Sequence, residues 1–177
     1  MKKPLLFAVF ALTLPAFCQS TQKDVLLKHW TTSGEFTVAV ADAMPADGYS
    51  FRATPVEMSF GELIAHIAAA DRNACANASG LTAPALPPKI ADWSKDALKI
   101  DVDKDTAIQF LKDTFSFCEK AIPEIPDSRM NTIVGPPNRK LTGEEWLWSY
   151  FTHTAHHRAQ AEVYLRLKGI KPPDYEF

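Results

Sequence analysis

Cysteine and glycine are both scarce. With 3 Cys and 7 Gly in 177 residues, the chain has neither a multi-bridge disulfide framework nor a flexible repetitive tract. A basic excess is missing too: 19 Lys and Arg stand against 21 Asp and Glu, without clustering, so the electrostatic footprint of a nucleic-acid binder is absent. Beyond the N-terminal segment no stretch is continuously apolar over the roughly 20 residues that a membrane helix needs. Period-2 alternation is also lacking, apart from a short piece from Met130 to Val134, so a sheet protein is excluded. No internal repeat or second domain is visible, and the length suits one domain with its own core.

The first twenty residues, MKKPLLFAVFALTLPAFCQS, run from two lysines through an apolar stretch to small residues, the layout of a secretory signal peptide. The apolar run from Leu5 to Phe17 is too short to span a membrane. We therefore expect residues 1–20 to be a removable signal and residues 21–177 to be one secreted or periplasmic domain without stable membrane insertion. Cleavage is expected after Cys18 or Ser20; a lipid-anchored Cys18 is disfavoured by the bulky Phe17 before it. Losing Lys2 and Lys3 makes the formal charge of −2 more negative still. Cys75 and Cys118 would then be the remaining cysteines. Cys118 lies on the stripe Ile108, Leu111, Phe115, Cys118, Ile122, which predicts a buried free thiol packing as a small hydrophobe. A Cys75 to Cys118 disulfide is the alternative, permitted by export.

Four stretches carry helical period. The first, from about Lys23 to Met44, is softened by Thr31, Thr32, Ser33 and Gly34, all poorer helix formers than Ala or Leu. The second opens on Ser59 and Glu62, the spacing of a capping box, and stops at Gly80. A proline-rich connection follows, with Trp93 as an expected anchor. The third runs from about Lys104 to Ala121 and should end at Pro123 and Pro126. A second capping box, Thr142 with Glu145, starts the fourth, which continues to Gly169. The fold class is therefore all-α: an antiparallel four-helix bundle with long crossover loops, in which ligand sites arise from side chains on facing helices.

Three of the five histidines fall within HTAHH, residues 153–157. On a helix His153 and His157 sit about 40° apart and about 6 Å along the axis, so they share a face. Trp146, Tyr150, Gln160 and Tyr164 project near the same face, and Tyr150, Gln160 and Tyr164 are candidates to hydrogen-bond a ligand water or the second imidazole nitrogens. His156 stands on the shoulder of that face. Imidazoles at i and i+4 can converge on one metal ion, but the residues between them lack the glutamate of a zinc peptidase, which argues against that chemistry. His66 lies beside Leu63, Ile67 and Ala70 on the inward face of the second helix. It is either a buried ring bonded to a backbone carbonyl or a tyrosine, or the third nitrogen of a site with an open position. His29 has no such argument. Arg158 reads as a structural ion-pair partner of another helix.

SFGELIAHIAAAD together with HTAHHRAQAEVYLRLKGIKPPDY resembles the DinB-like family of metal-dependent four-helix-bundle proteins. The earlier DAMPADGYSFRATPVEMSF is similar to that family's first loop, so the likeness extends over nearly the whole chain after residue 20. The resemblance implies a divalent metal held by His66, His153 and His157. The ion would be zinc or nickel first, with iron or copper also compatible, since imidazole suits all four. The chain departs from the family in Ala159, where glycine is common, and in its export signal, which sits poorly with relatives that use a cytosolic thiol. The function expected is a metal-dependent hydrolase or small-group transferase acting on a small molecule, with a non-catalytic metal or small-ligand binder as the alternative. A homodimer is compatible with either.

Overall fold

The computed structural model describes residues 21–91 and 101–175. The expected signal segment and Trp93 lie outside the described residues. Among the described residues there are six helices and one small hairpin: α1 (Gln22–Ala43), α2 (Phe60–Ser79), α3 (Pro88–Ala91), α4 (Lys104–Glu124), α5 (Asp127–Met130), β1 (Ile133–Val134), β2 (Leu141–Thr142) and α6 (Gly143–Leu167), with a 3-10 turn at Ala46–Gly48. No helix among the described residues is long and apolar enough to cross a membrane.

The ends of the long helices follow from local hydrogen bonding. Thr21, Ser59 and Thr142 each accept from the backbone N–H three residues on, while Asp24, Glu62 and Glu145 reach back to the cap. Asp103 caps α4 by accepting from Thr106 N. Such caps satisfy amides that have no partner within the helix. Gly80 ends α2 with φ 77°, a left-handed conformation that glycine adopts without a Cβ penalty.

The helix expected from about Lys23 to Met44 is present and continuous through its soft middle. Packing overrides propensity there: a Cβ on Gly34 would come within 2.8 Å of the Phe115 ring, so glycine lets α4 approach closely. One boundary differs from expectation. α4 runs past Pro123 to Glu124, and Lys23 Nζ donates to the carbonyl of Ile125 at 2.8 Å, placing a cation on the C-terminal carbonyls. The expected extended piece is β1, paired antiparallel with β2 through Ile133 with Thr142 and Val134 with Leu141.

α2 packs on α4 and α6, and α1 packs on the same two helices. The four long helices thus form a bundle, but α2 and α4 run in the same direction. Gly61, at the start of α2, abuts the Val102 carbonyl just before α4, whereas Cys75 and Cys118 meet in the second halves of both helices. α6 is antiparallel to α2: Tyr164, near its end, donates to Met58 O ahead of α2 at 2.9 Å. Parallel neighbours need a connection as long as the bundle, and a 20-residue helix spans about 30 Å. The proline-rich stretch between α2 and α4 meets that need.

The free-thiol expectation for Cys118 is corrected. Both cysteines are fully buried, yet they are bonded to each other, with Cα atoms 5.4 Å apart across a sequence separation of 43. The apolar stripe placed Cys118 correctly; what it could not show was that α2 brings Cys75 to the same point. Closing a loop of this length removes about 4 kcal/mol of unfolded-state entropy. Replacing both cysteines by Ser should therefore lower the calorimetric melting temperature by roughly 10 °C, and reductant should have no further effect on that variant. An unchanged melting temperature would contradict the link.

Candidate metal centre

His66 enters the site from α2 and His153 and His157 from α6, all three half-buried. One nitrogen of each lies within 4.8 Å of the others, and His66 Nε2 is 3.0 Å from His153 Nε2. Ring centroids are 4.9, 4.6 and 4.3 Å apart for the three pairs. Ligand nitrogens at about 2.0–2.1 Å around a tetrahedral ion stand about 3.3 Å apart, so small ring rotations bring this set to coordination geometry.

Its protonation fits as well. Burial pushes His66 and His153 down to about 4, helped in each case by the neighbouring His157. Burial also lowers His157, against the opposing pull of Gln160. Neutral imidazole is the form that donates a lone pair to a metal. Gln160 Oε1 lies 2.7 Å from His157 Nδ1. With the Nδ1–H donating to this carbonyl, Nε2 is left as the ligand atom, the orientation that a partner behind the ring imposes in metal sites.

The other aromatic neighbours do different work. Tyr164 is occupied by the Met58 carbonyl, and Trp146 Nε1 donates to Val134 O at 3.0 Å. Tyr150 stacks on Trp146 with its ring 5.4 Å from His153, and its hydroxyl accepts from Arg139. Among the described residues His153 Nδ1 is buried without a partner. His156 is exposed, with its ring 4.8 Å from His157, and it stays outside the three-nitrogen group, as does His29 on α1.

Arg158 does join another helix, but not through a carboxylate. Its Nη1 donates to the Ser33 carbonyl and hydroxyl and to Thr37 Oγ1 at 3.2, 2.7 and 3.2 Å, and its guanidinium lies 4.6 Å over Phe36. Two contributors escape a reading of helical period. Asp71, fully buried on α2, accepts from Thr154 Oγ1 at 2.9 and 2.7 Å through its two oxygens; an acid inside an alanine run was its signal. Arg139 is brought in by the hairpin turn, and no local pattern marks it.

Beside the histidines opens a cleft of about 310 Å³, with Ala69 and Ala70 along its floor and Asn73, Arg139 and Tyr150 around His66 and His153. One side of the nitrogen cluster is therefore open to a small molecule. In metal-free protein the His66 and His153 C2–H signals should stay in their neutral positions as pH falls below 6.5 and move only near 4. The unfolded chain takes up those protons first, so the stability these rings contribute is complete above about 6.5 and is lost as pH falls toward 4. Asp71, which burial pushes up to about 8, contributes with the opposite sign, and NMR resolves the histidines where total stability would not.

Comparison with known proteins agrees with this architecture. Two solved structures superpose over most of their length. A DinB-like protein from Bacillus cereus gives a TM-score of 0.69 at 20% identity, covering 85% of this chain and 95% of that one. A DinB-like protein from Bacillus subtilis gives 0.64 at 18%, covering 85% and 96%. At such identities the likeness carries the fold. Comparison with curated proteins finds no match. The sequence profile of the DinB superfamily matches residues 29–161, a span that includes all three histidines of the cluster, and the chain belongs to that superfamily.

Proposed function

We propose that the protein is an exported, divalent-metal-dependent enzyme of hydrolase or small-group-transferase type, acting on a small molecule, with His66, His153 and His157 as the metal ligands. The observation that carries this reading is the convergence of three imidazoles, two of which, His66 and His153, line an open cleft. A divalent ion held by three uncharged ligands would keep its full charge and supply Lewis acidity toward water or a substrate oxygen. The chain's own part is positional. Gln160 fixes the His157 tautomer, the α2–α6 packing sets the ring separations, and the alanine floor leaves space for substrate. A metal-and-ligand binder without turnover is the second reading, favoured by the lack, among the described residues lining the cleft, of a carboxylate that could act as general base.

Export is supported by the N-terminal segment and by a buried disulfide, which persists in oxidising compartments. Mass spectrometry of the natural product should find the N-terminus after Cys18 or Ser20; an intact Met1 in a cytoplasmic fraction would refute export. Elemental analysis of protein purified without a histidine tag should find one divalent ion per chain. His66→Ala, His153→Ala and His157→Ala should each abolish tight binding, and His156→Ala should retain it. Gln160→Leu should weaken metal affinity roughly 10- to 100-fold. Stoichiometric metal in the His66 variant would overturn the ligand set. A substrate screen on metal-loaded and metal-stripped protein separates enzyme from binder.

A further inference from the structure

The hairpin turn between β1 and β2 projects one cation over the mouth of the cleft. Arg139 N donates to Pro136 O at 3.0 Å and closes the turn. The turn is anchored on α6: Trp146 Nε1 holds the Val134 carbonyl, and Gly135, at φ 88°, sits so close that a Cβ there would come within 3.1 Å of the same indole. Arg139 therefore has a defined position. Its guanidinium stands 5.6 Å from the Trp146 ring and 5.8 Å from the Tyr150 ring, which stack on each other with an interplanar angle of 19°. A cation over aromatic faces is favourable, and stacking keeps the planar fork oriented.

Among the described residues most of the fork has no protein partner. One Nη donates to the Tyr150 hydroxyl, and among the described residues no carboxylate forms an ion pair with Arg139. Among the described residues the cleft that it lines contains no acid, although the chain as a whole carries more acids than bases. A cationic ligand would meet like charge at the exposed Arg139, whereas an anionic one would gain a charge-assisted hydrogen bond that a neutral acceptor matches only in part. A carboxylate matches the fork geometrically and electrostatically.

We propose that this cleft takes a small carboxylate-bearing molecule, held by Arg139 at its acid end with its other end directed at His66 and His153. The inference rests on the metal-site reading for the second half of that statement and on Arg139 alone for the first.

The test uses cobalt(II)-loaded protein with the disulfide intact, titrated with pyridine-3-acetate and with its neutral analogue pyridine-3-acetamide and followed by the cobalt visible spectrum. The carboxylate should bind roughly tenfold more tightly than the amide, the size expected for a hydrogen bond to a charged group. Arg139→Gln should erase that ratio while keeping cobalt affinity, amide affinity and melting temperature, and Arg139→Lys should restore part of it. Equal binding of the two probes by the unaltered protein, or an unchanged ratio in Arg139→Gln, would overturn the proposal. If cobalt does not bind at all, the metal reading falls. The acid anchor is then read on the metal-free protein from the Arg139 Nε–H NMR signal during titration with phenylacetate and phenylacetamide. A shift with phenylacetate alone supports the anchor, and no difference between the two refutes it.

Discussion

The register between α2 and α6 is the constraint on which the site depends. One nitrogen of the histidine cluster comes from α2 and two come from α6, and a slip of a single residue on either helix would turn its side chains by about 100° and carry them about 1.5 Å along the axis. The register is set where water cannot compete. Asp71 and Thr154 hydrogen-bond across the seam in full burial, and Thr154 is the residue next to His153. Because an unmatched polar group costs more in a dry interior than a matched one returns, such a pair penalises every other alignment. Apolar packing alone would tolerate several.

Around that seam the remaining polar interactions hold the bundle's other elements. Arg158 spans to α1 through Ser33 and Thr37, and Tyr164 secures the loop ahead of α2. Arg52 forms an ion pair at 2.6 Å with Glu62, the buried acid that also closes the α2 capping box. One side chain thereby fixes both the start of the helix and the crossover leading into it. His66 sits one helical turn further along α2, so the helix is secured immediately upstream of it.

Helix existence and polarity were legible in the sequence because they rest on local chemistry. Ser59 with Glu62 and Thr142 with Glu145 mark two helix starts in four letters each, and the i, i+4 spacing of His153 and His157 sets a common face without reference to any other part of the chain. His66 was legible as an inward polar residue, while its pairing with α6 needed either the family resemblance or the fold. What stayed hidden is non-local. Whether α2 and α4 run parallel depends on how 24 residues of connection are routed, and the Cys75 to Cys118 bond depends on that routing. The close approach that glycine permits in the middle of α1 is to Phe115 of another helix. Arg139 reaches the cleft only because a two-residue ladder folds its loop back on α6. Each of these is a contact between segments far apart in sequence, and no propensity records it.

The cystine has a topological consequence. It joins two parallel neighbours directly, so the chain between Cys75 and Cys118 is one of two covalent routes from α2 to α4. A single peptide-bond break anywhere on that route would leave both fragments tethered at the point where the helices already touch, and they would separate only on reduction. The proline-rich crossover is thus free to be cut, lengthened or rewritten without releasing one half of the bundle from the other. The hairpin that carries Arg139 lies outside this closed ring and has no such second tether.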